Sequence, residues 1–151
     1  MGSIFRIAKI LFFAFIVLYG AVQNASAEEQ TPVLLIEGSI KAGPGDIIKM
    51  SIADIWELGV SELTTETIWT DGPNTFKGVP LSTLLESHSL SGRPINVFAL
   101  NDYTTTIPSE IVDKAFLAFE MDGVPLKPSD KGPLWVIFDF SSMPSKDKPL
   151  Y

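Results

Sequence analysis

The chain has 151 residues, no cysteine, one histidine and a formal net charge of −7. No Cys/His zinc site or iron–sulfur centre can be built from that inventory, and no disulfide framework either. The acidic balance argues against nucleic acid or an anionic membrane surface as partner.

Residues 1–27 read as a targeting segment and are set aside from the fold. Arg6 and Lys9 form a positive start, "ILFFAFIVLYGAV" is an apolar run, and "ASA" ends at Ala27 with small residues at the −3 and −1 positions. This is the pattern of a secretory signal peptide cleaved after Ala27. The run is short of the roughly 20 residues a spanning helix needs, so no stable membrane anchor is expected. The expected location is the periplasm. Losing Arg6 and Lys9 leaves 9 basic residues against 18 acidic ones, a net charge of −9. Residues 28–151 then suit one domain.

"VLLIEGSI" (33–40) reads as a strand closed by the turn signal "AGPGD", and "DIIKMSI" as its return. "SIADIWELG" (51–59) has its own punctuation: Ser51 and Asp54 at capping-box spacing, then Gly59 as a terminator. Ile52, Ile55 and Trp56 share one face of that helix, which makes Trp56 a core residue. "TTETIWT" (64–70) is rich in β-branched residues and reads as a strand. "DGPN" turns the chain into the short return "TFKG".

Pro80 suits the start of a helix with Leu81, Leu84 and Leu85 on one face. His88 falls at the end of that helix, where it reads as structural. "PINVFALN" and "DYTTTIP" are strands flanking Asn101-Asp102, and "PSEIVDKA" is a brief helix. "FLAFEM-DG-VPL" has the Asp-Gly pair of a type I′ hairpin. "PLWVIFDF" (133–140) is apolar on both faces and is expected to be a central strand. Many short strands with two or three short helices give an α+β, mainly β class.

No Ser-His-Asp triad, phosphate loop or calcium loop pattern is present. Two places present side chains for binding. Trp69 and Trp135 flank a turn and a Gly-Pro, and "NDY" (Asn101, Asp102, Tyr103) sits at a strand junction. For the two tryptophans the competing reading is structural packing, and for "NDY" it is Asx-turn chemistry with Tyr103 packing nearby.

The order "WTDG…F.GVPL..LL", "ALNDY…IP", "DG.PL" and "KGPLWVI" resembles the oxidoreductase molybdopterin-binding family, over about Ile36 to Phe140. The resemblance implies a sulfite-oxidase-type fold whose enzyme relatives hold a molybdenum–pterin cofactor in a cleft. Those relatives carry a molybdenum-binding cysteine on the strand before "GVPL". The matching region here, near Thr65 to Trp69, has none, and a hydroxyl or carboxylate does not replace a soft thiolate. Where relatives show an arginine in the Gly-Pro-Leu strand, this chain has Trp135. Its one arginine after residue 27 is Arg93. The resemblance also implies a further C-terminal strand where the sequence stops at "DKPLY", so that strand is expected to be missing and an edge exposed.

These readings together predict an exported, cysteine-less member of the fold that binds a small ligand or serves as a sensory accessory, in a cleft between the "WTDG" turn and the "NDY" junction. Trp69, Asp71, Asn101, Asp102, Tyr103, Lys131 and Trp135 are the residues expected to line it. The alternatives are a molybdopterin oxidoreductase that holds its cofactor without a protein thiolate, and a module that pairs with a periplasmic protein.

Overall fold

Alternation of apolar residues along three strands organises this protein. In β7 (Ala115–Met121), Ala115, Leu117 and Phe119 enter one hydrophobic cluster while Phe116 and Ala118 enter another. A strand sends successive side chains to opposite faces, so β7 carries two cores. The computed structural model describes residues 31–40 and 43–140, side chains 39–46 excepted. They belong to one compact unit that begins at Thr31. The expected signal segment and the expected missing C-terminal strand lie outside the described residues.

β7 is flanked on one side by β4 (Pro73–Pro80), which pairs in turn with β3 (Ser61–Glu66). Its other side carries β9 (Trp135–Phe138) along Ala115–Ala118 and the two-residue β8 (Val124–Pro125) at Glu120–Met121, all antiparallel. Gly78 sits where the β4–β7 register shifts, and a Cβ there would overlap the Leu117 carbonyl. The close passage of two backbones requires glycine at this bulge.

The larger core lies on the Val79–Leu117–Phe119 face. It is covered by the β1 (Leu34–Ile40) and β2 (Gly43–Met50) hairpin, by helices α1 (Ile52–Glu57) and α2 (Leu81–Ser87), and by a 3₁₀ helix (Ser109–Lys114). A third sheet, β5 (Ile95–Phe98) with β6 (Thr104–Ile107), adds Ile95, Val97 and Ile107 to it. The smaller core is Phe76, Phe116, Ala118 and Ile137, with Leu63, Met121, Leu126 and Trp135 packed around it.

Local sequence chemistry sets several boundaries as expected. The Asp54 amide donates to Ser51 Oγ at 3.2 Å and the Ser51 amide donates to the Asp54 carboxylate at 2.7 Å, completing the capping box. Asp122 and Gly123 have φ of 50° and 77°, the left-handed pair of the expected hairpin turn. His88 caps the end of α2, its Nδ1 3.0 Å from the Leu84 carbonyl.

Three expectations need correction. Strand β3 ends at Glu66, not at Thr70. Trp56 is 43% exposed; its ring stacks on Phe119 at 5.2 Å but lies at the margin of the core. Strand β9 is not central: among the described residues it pairs with β7 alone. Its apolar character on both faces has another cause. Both cores extend past it, taking Val136 and Phe138 on one side and Trp135 and Ile137 on the other.

Candidate functional site

β3 stops early because a hydroxyl competes with the ladder. Thr67 Oγ1 accepts the Trp69 amide at 3.1 Å and lies 3.0 Å from Thr70 Oγ1, while the Thr70 amide donates to the Thr67 carbonyl at 3.4 Å. Threonine side chains that bond the backbone two residues on stabilise a turn over a strand. Thr67 is thereby buried, and Trp69 is directed outward with 68% of its surface exposed.

This turn faces β9. Thr65 Oγ1 donates to the Phe138 carbonyl at 3.4 Å, tying β3 to the strand three places away in the sheet. Between them is a shallow depression lined by Thr67, Trp69, Trp135, Val136, Ile137, Phe138 and Phe140, enclosing about 220 Å³ together with its open mouth. Trp135 is fixed from behind, edge-on to the buried Phe76 at 5.7 Å and 78°. Beside it, Lys131 Nζ lies 5.8 Å from the indole centroid and 2.9 Å from Asp130 Oδ1.

Of the residues expected to form one cleft, Trp69 and Trp135 line this depression and Lys131 adjoins it. Asp71 is exposed in the turn that leads into β4. Asn101, Asp102 and Tyr103 are not among the lining residues. They form the tip of the β5–β6 hairpin, where Asn101 Oδ1 accepts the Tyr103 amide at 3.2 Å, the Asp102 amide donates to the Ala99 carbonyl at 3.1 Å, and Asp102 has φ of 63°. That is the Asx-turn arrangement weighed above. Thr67, Val136, Ile137, Phe138 and Phe140 were not singled out from sequence. The signal for Thr67 was its place two residues before Trp69, the spacing of a hydroxyl-capped turn.

Two carboxylates titrate below the ordinary range. Asp54 is lowered by its hydrogen bonds from the Ser51 hydroxyl and amide, and Asp122 by those from the Asn74 amide group and the Thr75 amide. Neither lines the depression. Both fasten turns.

The depression does not suit a molybdenum–pterin cofactor. Its polar side chain is the Thr67 hydroxyl, already engaged by Trp69 and Thr70, and the sequence contains no thiolate. Pterin phosphate calls for cationic, preferably bidentate, partners. None of the described lining residues is basic, and the neighbouring Lys131 is paired with Asp130. The volume is also below the roughly 300–1,000 Å³ typical of cofactor sites. Among the described residues, no three His, Cys, Asp or Glu side chains group as a metal site.

The comparisons agree on ancestry. Residues 54–140 match the family described as oxidoreductase molybdopterin binding domain. The fold is similar to that in the crystal structure of the sulfane dehydrogenase SoxCD from Paracoccus pantotrophus, with a TM-score of 0.56 and 20% identity. That match covers 79% of this chain and 36% of the SoxCD chain, so this protein corresponds to about a third of it. No curated protein matches the sequence. Among the described residues, two short α-helices, one 3₁₀ helix and nine strands fit the α+β, mainly β class, and the similarity fits a sulfite-oxidase-type fold. By the span of the match, the chain belongs to the oxidoreductase molybdopterin binding domain family.

Proposed function

We propose that this chain is an exported, non-redox member of its family that binds a small ligand, as a sensory or accessory domain, in the depression between the Thr67–Thr70 turn and β9. The observation that carries this reading is Trp69. A large indole held 68% exposed by a dedicated hydroxyl-capped turn, beside a second tryptophan, is positioned for contact and not for packing. The donor set at the same place supports a non-redox role, since an engaged threonine hydroxyl is a poor ligand for molybdenum. Periplasmic delivery rests on the pattern of residues 1–27.

Trp69→Ala tests the reading. Ligand uptake from a periplasmic metabolite extract, followed by native mass spectrometry, is lost in the variant while its melting temperature stays at the wild-type value. Uptake retained by the variant contradicts the assignment. Fractionation with intact-mass analysis checks the compartment; the expected species is periplasmic and begins at Glu28.

A second reading, a protein-interaction module, is favoured by one feature. Phe98, Leu100 and Tyr103 are 77%, 83% and 61% exposed on the β5–β6 hairpin. It predicts a periplasmic protein partner that is lost on Phe98→Ser and Leu100→Ser and kept on Trp69→Ala.

A further inference from the structure

We infer that the Trp69–Trp135 depression selects a small organic ammonium ion; the inference deepens the ligand-binding reading above and rests on it. The chain has three tryptophans. Two of them already hold an ammonium of the protein's own: Lys77 Nζ lies 4.9 Å from the Trp56 ring and Lys131 Nζ lies 5.8 Å from the Trp135 ring. Trp69 is the third, and among the described residues no lysine or arginine is placed over it. It is also more exposed than Trp56, at 68% against 43%. Indole faces attract cations through the ring quadrupole.

The remaining walls narrow the ligand class. Phe140 supplies another aromatic ring and the half-buried Val136 apolar surface that suits the methyl groups of a substituted amine, while Ile137 and Phe138 border the depression but are themselves buried in the two cores. Among the described lining residues an anion would find no basic side chain, and a highly polar neutral ligand would find one hydroxyl, that of Thr67, already holding two partners. An excess of acidic over basic residues, 18 to 11, raises the concentration of cations near the surface. Lys131 shows how such a head group is held, with an indole on one contact and the Asp130 carboxylate at 2.9 Å on another.

The experiment is a titration of the ¹⁵N-labelled chain with choline and, in parallel, with its neutral isostere 3,3-dimethylbutan-1-ol, following the three indole N–H signals. The expected result is a saturable shift of the Trp69 and Trp135 signals by choline, with Trp56 stationary. The neutral alcohol should bind about fivefold more weakly, the loss of a cation–π contact at a part-exposed site. Trp69→Leu should remove the choline response at Trp135 without lowering the melting temperature. Equal affinity for the alcohol overturns the charge selectivity and leaves a ligand site in place. No saturable shift with either probe, or a Trp56 signal that moves in step with the others, overturns the site as well.

Discussion

The Trp69–Trp135 depression and the Asn101–Tyr103 hairpin tip both present exposed aromatic residues beside a turn, yet they differ in support. Trp69 stands on a turn whose hydroxyl bonds are partly buried, and Trp135 is wedged against Phe76 in a core. Tyr103 stands on a turn whose side-chain bond, from its own amide to Asn101, is exposed. Exposure over a packed base makes a concave, preorganised surface; exposure at a hairpin tip makes a convex one. Small ligands favour the first.

The largest expected effect comes from removing that base. Phe76→Ala should cost about 3–5 kcal/mol, because it empties a fully buried site behind Trp135; chemical denaturation measures it. A loss below about 1 kcal/mol would mean that the smaller core does not hold the depression in shape. Next is Ser51→Ala, which removes the α1 cap and should cost about 1 kcal/mol without touching either region. Trp69→Ala and Tyr103→Ala should each change stability by no more than about 0.5 kcal/mol, as exposed positions do. They should separate in function, with Trp69→Ala alone losing ligand. If Tyr103→Ala loses it too, the two regions act as one site and the distinction drawn here fails.

Acid provides a subtler test. Asp122 and Asp54 titrate below their ordinary value in the folded protein, so each favours folding while ionised. Their contribution is fully present above about pH 4 and declines as pH falls through the lowered folded values. The urea midpoint should therefore fall on acidification below that point. Asp122→Asn should flatten part of the decline, since Asp122 fastens the start of β4 through Asn74 and Thr75.

Much of the fold was legible in the sequence because it is written in local chemistry: the Ser51–Asp54 box, the Asp122-Gly123 turn and the leucines of α2 lie where their spacing put them. The family resemblance was legible in the order of its motifs. The site was legible only in part. Trp69 and Trp135 were named, but their meeting depends on how far β3 runs and on where β9 docks, and both are tertiary outcomes. At β3, a threonine hydroxyl overrode β-branched propensity. At β9, apolar residues on both faces indicated burial, which two cores supply at an edge as well as at a centre. Asn101–Tyr103 carried a turn signal and a binding signal in the same three letters, and the sequence could not separate them.

On the proposed function, this family member has a ligand depression in place of a redox centre. Metal analysis with native mass spectrometry tests it most directly, on protein purified from the periplasm of cells that make molybdopterin. The expected result is molybdenum far below one equivalent and either a bare chain mass or a small non-pterin adduct. Stoichiometric molybdenum accompanied by a pterin mass would contradict it and would restore the oxidoreductase reading despite Thr67.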